Sequence, residues 1–343
     1  MEPRMNPGIW FPTIRVGSGT DVFTERLAAC LCRRGLRAEI TWLPHRAEYL
    51  SGTVPLPAPP AWADIAHINT WFPTSLLPRG MPVVATVHHA MHDSSIGSYK
   101  PWLQRAYHRH WIRRMERRTL AHASTVIAVS RYAALQTEGT FGISNITTIH
   151  NGIDVNGPFR PSTACKPHRP FRLLFLGGWK KLKGVDLLPR IMNDLGNEYQ
   201  LFYTGDKPLT IDGKILSNTH ALGQLRSGHE VAKACRNADV LIFPSRVEGF
   251  GLVAVEAQAC GLPVIATRCS SLPEVVEEGT TGLLCPSDDV EAFSAAARRL
   301  AENPRQWLAM SRAARTRVES HFDIDTMIDR YIDIYRATLQ DSN

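Results

Sequence analysis

The sequence predicts an α/β protein of two domains, each built on a parallel sheet with helices packed on it. Three observations carry this. The chain has 343 residues, enough for two domains with separate cores. Short apolar runs such as Val83–Val87 and Val240–Phe243 alternate with helix-periodic stretches, and strands joined by crossover helices run parallel. The stretch Pro158 to Pro170, rich in proline and polar residues, breaks the alternation near the middle and reads as a linker, which sets domains at 1–160 and 161–323.

The first half opens with an apolar strand, Gly8 to Ile14. A turn containing Gly17, Ser18 and Gly19 follows, then a helix with Leu27 and Leu31 on one face and Gly35 as its stop. The turn lets a ligand approach the backbone, although the third glycine of a GxGxxG motif is missing and a plain tight turn fits equally well. Residues 51–63 are Pro-rich and read as a surface loop. Ala66–Asn69 and Val83–Val87 are the next core strands. The second runs into His88, His89, His92 and Asp93, a set that suits either a metal or an ordinary polar loop. A strand-end histidine also lies where open α/β sheets place their ligand sites. From Lys100 to Arg118, arginines interleave with Trp102, Tyr107 and Trp111 at helical spacing. Three readings stand: a solvated basic face with its aromatics turned to the core, contact with an anionic membrane surface, or nucleic acid, the last disfavoured because no recognition motif accompanies the charge. Ala123–Val129 is a further strand.

The second half restarts with a strand, Arg172 to Leu176, followed by Gly177-Gly178 and then Lys180, Lys181 and Lys183 before Gly184, a plausible phosphate cradle without the Gly-Lys-Ser/Thr ending of a Walker A loop. Leu201–Thr204 and the strand-plus-turn His220–Leu225 come next, then a helix from Glu230 to Arg236. Val240–Phe243 is a strand buried on both faces. A loop with Glu248, Gly249 and Gly251 leads into the helix LVAVEAQAC, which Gly261-Leu262-Pro263 ends, and Pro263–Thr267 is the next strand. A helix starting near Gly251 aims unpaired N–H groups and a positive dipole end into the loop, which suits a diphosphate. Glu248 before the helix and Glu256 within it flank that spot. Either they serve the two ends of a ligand, or they are solvated charges at a helix end. Ile324, Met327, Ile328, Tyr331, Ile332 and Tyr335 share one face of a last helix.

Composition narrows the class. The hydrophobic share of 44% and charged share of 21% are those of a soluble globular protein. Seven cysteines, an odd number without a CxxC pair, read as buried thiols of a reducing compartment. No signal-peptide pattern and no membrane-spanning apolar run is visible, so a cytoplasmic location is expected. The net charge of +7 belongs entirely to residues 1–160, which invites an anionic partner.

Glu248 and Glu256, with PSRVEGFG, VEAQACGLPVIAT and LPEVVEEGTTGLL around them, resemble the E-x7-E region of retaining GT-B glycosyltransferases of family GT4. ITTIHNGID, closing the first half with Asn151 to Asp154, resembles the phrase that opens the interdomain crossing. The resemblance spans nearly the whole chain. It implies two Rossmann-like domains facing across a cleft, with the helix from about 324 to 343 crossing back to the first. It implies transfer of a sugar from a UDP- or GDP-sugar to an acceptor hydroxyl with retention and without a metal or other cofactor, on a glycan or lipid-linked glycan acceptor of polysaccharide or glycolipid synthesis. Glu248, His88 and Lys183 are the implied catalytic residues. Gly19, Gly178, Lys183, Leu225, Phe250, Gly251, Leu252, Val253 and Glu256 are the implied donor contacts, with Glu256 on the ribose. Two departures stand out: Ser18 replaces the first glycine of a Gly-Gly pair, and Gly178 stands where an arginine is expected, leaving Lys180 and Lys181 as candidates for its charge. An epimerase of the same fold, a non-catalytic nucleotide-binding module and a basic nucleic-acid-binding protein are the rival readings.

Overall fold

The computed structural model describes residues 6–17, 19–89, 92–93 and 102–341, with backbone only at 103–105. Ser18, Ala90, Met91 and Lys100, and the side chain of Arg105, lie outside the described residues.

The chain forms two compact units. One runs to His150 and takes in the chain again from Asp325; the other is Asn151–Ile324. The first unit has six parallel strands: β1 (Ile9–Ile14), β2 (Ala38–Leu43), β3 (Ile65–Asn69), β4 (Val83–Val87), β5 (Thr125–Ala128) and β6 (Thr147–Thr148), in the order β2-β1-β3-β4-β5-β6. β1 and β4 are buried along their whole length, as expected of central strands covered by helices on both faces. Gly19–Arg33 packs Leu27 and Leu31 inward. The last helix, Ile324–Asp341, seals the underside of this sheet with Tyr331 and Tyr335, which are fully buried. Tyr335 OH lies 2.6 Å from His67 Nδ1, and Thr86 Oγ1 lies 2.8 Å from His67 Nε2, so both ring nitrogens of this buried histidine are matched. Burial lowers the His67 pKa to about 3.

The second unit contains β7 (Phe171–Phe175), β8 (Tyr199–Tyr203), a hairpin of β9 (Thr210–Ile211) and β10 (Lys214–Ile215), β11 (Thr219–Ala221), β12 (Val240–Phe243), β13 (Val264–Thr267) and β14 (Gly282–Cys285). Its parallel sheet runs β11-β8-β7-β12-β13-β14. The chain winds from β7 to one side, then returns to lay β12 on the other. The crevice at the carboxyl ends of β7 and β12 is therefore the topological switch point, where open α/β sheets bind ligands. Leu188, Ile191 and Met192 of helix Leu188–Leu195 meet Phe293, Ala297 and Leu300 of helix Val290–Glu302 in the core on one face. The Pro-rich stretch 158–170 belongs to this unit, held by Arg315, whose guanidinium donates to the carbonyls of Val155, Phe159 and Ala259.

Two expectations need correction. Cys32 and Cys165 are exposed, not buried; Cys32 falls on the outer face of its helix and Cys165 in the Pro-rich stretch. Trp102 and Trp111 are also exposed, so the reading that turns them to the core fails. The basic segment is a helix, Trp102–Tyr107, a π turn, His108–Ile112, and a second helix, Arg113–His122. It buries His108, Ile112, Glu116, Thr119 and Leu120 instead.

Candidate active site

Two loops fill the crevice of the second sheet, Leu176–Gly184 after β7 and Pro244–Gly251 after β12. Arg246 N donates to Leu182 O at 2.9 Å. At Gly184, φ is 71°, and a Cβ there would meet Pro244 O at 2.1 Å, so only glycine permits the approach. This packing sets Lys183 against Glu248, with Nζ 2.5 Å from Oε1. Ser245 Oγ donates to the same oxygen at 2.6 Å. The Glu248 backbone is held as firmly: its N–H donates to Ser270 Oγ at 2.9 Å, and its carbonyl accepts from Ser271 Oγ at 3.0 Å. The carboxylate is thus almost enclosed while Lys183 stays about one-third exposed, 10% against 31% for the side chains.

Arg246, which the sequence reading passed over, ties the loops together. Its guanidinium grips Asp186 through two hydrogen bonds of 2.8 and 2.9 Å, donates from Nε to Asp288 at 2.7 Å, and reaches the Lys181 carbonyl. Hydrogen bonding to Asp186 raises the pKa of this arginine, and the same bonds lower that of Asp186. Its signal was a basic residue inside the PSRVEGFG run, with Asp186 two residues past Gly184. Only the fold shows that these positions meet.

Helix Leu252–Ala259 starts at Gly251, which has φ 93° and takes a conformation that disfavours a side chain. The cap residue Gly251 has no side chain to close this helix end, and with Ala254 N–H donating to Gly251 O at 2.9 Å the end offers the N–H groups of Leu252 and Val253 to an anion. The helix is apolar and buried except along one half-buried stripe of Leu252, Val253 and Glu256. Glu256 is its single charge, and its placement on that stripe follows from the four-residue spacing to Leu252. Phe250 turns its ring inward against Phe322, 5.7 Å away, so only its backbone faces the loop. Gly177 is pinned by Thr204 Oγ1, which accepts from its N–H and donates to its carbonyl. Gly178 has open space where a side chain would stand, and Lys180 and Lys181 beside it are exposed. Leu225 is half-buried beyond β11.

The first unit carries a pocket of about 290 Å³ at the carboxyl ends of β1, β3 and β4, its own switch point. Thr20, His45, Glu48, Trp71, His88 and His89 are among its walls. His88 is half-buried, edge-on to Phe23 at 4.6 Å. Burial, with the nearby histidines His89 and His67, holds its pKa well below the usual histidine value, so it is neutral at pH 7. Gly19 begins the helix whose Phe23 touches His88. Asp21 Oδ2 accepts from the N–H groups of Val16 and Gly17 at 3.0 and 2.7 Å, fixing the turn before that helix from within. The other members of the His/Asp set diverge: His92 Nε2 is 2.8 Å from Glu116, and Asp93 bonds Tyr132. Among the described residues no group of three or more histidine, cysteine or acidic side chains is placed to hold a metal ion.

Lys183, Glu248 and the helix end at Gly251 are therefore brought together in the second unit, and His88 with the Gly19 turn in the first. The family profile described as glycosyl transferases group 1 matches residues 170–303, and that described as glycosyltransferase family 4 matches residues 61–156. Over 306 residues the chain is 30% identical to glycogen synthase of Mycobacterium tuberculosis, covering 80% of this chain and 69% of that one. It is 28% identical over 315 residues to D-inositol 3-phosphate glycosyltransferase 1 of Catenulispora acidiphila, covering 81% and 73%. Sucrose-phosphate synthase from Thermosynechococcus elongatus superposes with a TM-score of 0.78 at 21% identity, over 96% of this chain and 98% of that one. Anabaena HepE in complex with UDP superposes with a TM-score of 0.71 at 16% identity, over 96% and 100%. Two parallel-sheet units and these likenesses give the GT-B fold. The chain belongs to the group 1 glycosyl transferases of family 4, as a glycosyltransferase that uses a nucleotide sugar.

Proposed function

We propose that the enzyme transfers the sugar of a UDP-sugar, with retention of configuration and without a metal ion, to a hydroxyl of a glycan or lipid-linked glycan. The observation that carries this is the Lys183–Glu248 pair at 2.5 Å beside the uncapped helix end at Gly251, in the switch-point crevice of the second sheet. UDP is preferred to GDP because HepE, a neighbour in fold, is solved with UDP and with UDP-glucose.

The diphosphate sits at the helix end and takes a share of Lys183. As the bond between the anomeric carbon and the phosphate oxygen breaks, negative charge grows on that phosphate. Lys183 and the first-turn N–H groups stabilise it in a preorganised way. The acceptor oxygen bonds to the anomeric carbon from the same face, and its proton passes to a phosphate oxygen. Glu248, fixed by three serines, supports the positive character of the sugar. Glu256 binds the ribose. In the pocket of the first unit, neutral His88 has one donor and one acceptor nitrogen to offer a sugar hydroxyl without charge.

The acceptor pocket is that of the first unit, where Trp71 gives an apolar face and Thr20 and the histidines give hydrogen-bonding groups. Exposed Arg109, Arg113 and Arg117 suit an anionic membrane surface, which supports the reading of peripheral contact. Among the described residues no helix is long and apolar enough to cross a membrane.

Thermal shift against UDP-, GDP-, ADP- and TDP-sugars tests the donor. A true donor at about 100 times its Kd adds about 2.7 kcal/mol of stability. Product anomer analysis by NMR tests retention, and an inverted product would overturn it. Activity should persist in EDTA, because Lys183 and the helix end do the work of a divalent ion; loss in EDTA with recovery on added metal would refute that.

A further inference from the structure

We propose that a second groove on the first unit, next to the acceptor pocket, binds a phosphate group carried by the acceptor. This rests on the acceptor reading just given. The groove measures about 290 Å³, a size typical of a small-ligand site. His110 of the π turn and Arg114 and Arg118 of the helix that follows form one wall, the two arginines sharing a face through their four-residue spacing. Ser51, Thr74 and Ser75, from two single-turn 3-10 helices, bring hydroxyls to the other wall.

The two walls suit a tetrahedral oxyanion. Guanidinium groups supply charge and fork-shaped donors on one side, and hydroxyls supply short-range donors on the other. Arg113, their neighbour, donates to the Thr140 carbonyl at 3.2 Å, whereas among the described residues Arg114 and Arg118 have no ion-pair partner. Glu48 lines both this groove and the acceptor pocket and so marks where they adjoin. Its carboxylate is engaged, accepting from Tyr107 OH at 3.0 Å and lying 3.4 Å from His45 Nε2. Trp111 Nε1 donates to the Glu48 carbonyl at 3.3 Å. Tyr107 and Trp111, one turn apart across the π turn, therefore dock the basic helix on the turn His45–Glu48 and hold the groove's wall in place. A π turn at such a spot is a common mark of a functional segment.

A phosphate held here places the rest of its molecule at the edge of the Trp71 pocket. The acceptor then is a phosphorylated sugar or a sugar on a lipid phosphate. Both offer the same oxyanion, and the experiment separates them.

The whole protein is titrated with glycerol 3-phosphate by calorimetry, and floated with phosphatidylcholine vesicles with and without phosphatidic acid. Wild type is compared with the pair Arg114→Gln and Arg118→Gln, and with a charge-matched pair of exposed arginines of the first unit that line neither pocket, Arg37→Gln and Arg79→Gln. Saturable glycerol 3-phosphate binding should weaken tenfold or more in the first pair and stay unchanged in the second. Absence of saturable binding in the wild type, or equal weakening in both pairs, would overturn the groove. Flotation that glycerol 3-phosphate blocks and the first pair loses names a lipid phosphate as the source. Binding without such flotation names a soluble phosphorylated acceptor. UDP-sugar binding is read in parallel: its failure in wild type would sink the proposed donor chemistry and leave the groove standing.

Discussion

Lys183→Ala is the sharpest probe of the second-unit site. The lysine faces a carboxylate 2.5 Å away whose side chain is 10% exposed, while its own is 31% exposed. Breaking a fully buried pair by removing one partner costs about 3–5 kcal/mol, because a charge is left in low dielectric. A third-exposed lysine already shares its charge with water, which discounts the loss to about 1–2 kcal/mol. Ser245 still donates to Glu248 and limits it further. The catalytic effect should be larger than the structural one. If Lys183 meets charge growing on the diphosphate, its removal lowers turnover by about 10²-fold or more. The assay is a cycle of Lys183→Ala, Glu248→Ala and both together, read by urea unfolding and by kcat. In stability the double variant should be no worse than Glu248→Ala, a coupling of about 1–2 kcal/mol. Additive stability losses would show that the contact carries no energy. Near-normal kcat in Lys183→Ala would move the phosphate role to Lys180 or Lys181.

Three further outcomes are expected. Glu256→Ala should weaken UDP and the UDP-sugar alike, by about 1.5–3 kcal/mol for a lost hydrogen bond to a charged group, and unchanged UDP affinity would remove the ribose from Glu256. Gly184→Ala should cost at least about 2 kcal/mol in unfolding free energy, from a left-handed backbone and a Cβ 2.1 Å from Pro244 O, and should depress kcat through misplaced Lys183; a fully stable, fully active variant would refute the packing account. His67, with a folded pKa of about 3 against about 6.5 unfolded, stays neutral in the fold while the unfolded chain takes up a proton. Its contribution is therefore present above about pH 6.5 and falls as pH drops toward 3, by about 1.4 kcal/mol per unit. Urea midpoints at pH 7 and pH 5 should differ less in His67→Gln than in wild type, and equal pH slopes would contradict this.

Most core strands were legible because they are short apolar runs between turn residues, and Val83–Val87 and Val240–Phe243 match the observed bounds; β2, β14 and the hairpin of β9 and β10 were not foreseen. The chemistry-bearing loop was legible through Glu248, Gly251 and Glu256, which lie within nine residues of one another. What stayed hidden depends on long-range contact. Lys183 and Glu248 are 65 positions apart, and nothing local announces that they neutralise each other. Arg246 reads as one more surface charge until Asp186 and Asp288 arrive around it from two other loops. The basic helix misled differently. Its aromatic residues obey helical spacing, but spacing cannot say which face turns inward, and the buried face is set by Ile112, Glu116 and Leu120.

The return of the last helix to the first unit bears on how the protein comes into being on the ribosome. Met327, Ile328, Tyr331 and Tyr335 are buried in that unit, Tyr335 meets His67, and Arg34 bridges Asp325 and Asp329. The first sheet is synthesised early yet lacks part of its core until residues after Asp325 emerge. The second unit is a single continuous stretch and has its whole core by then. The core of the first unit is thus completed after that of the second, against the usual amino-terminal-first order of vectorial folding. The nascent first unit waits with apolar strands incompletely covered, and that interval is when this chain is most open to chaperones and to aggregation.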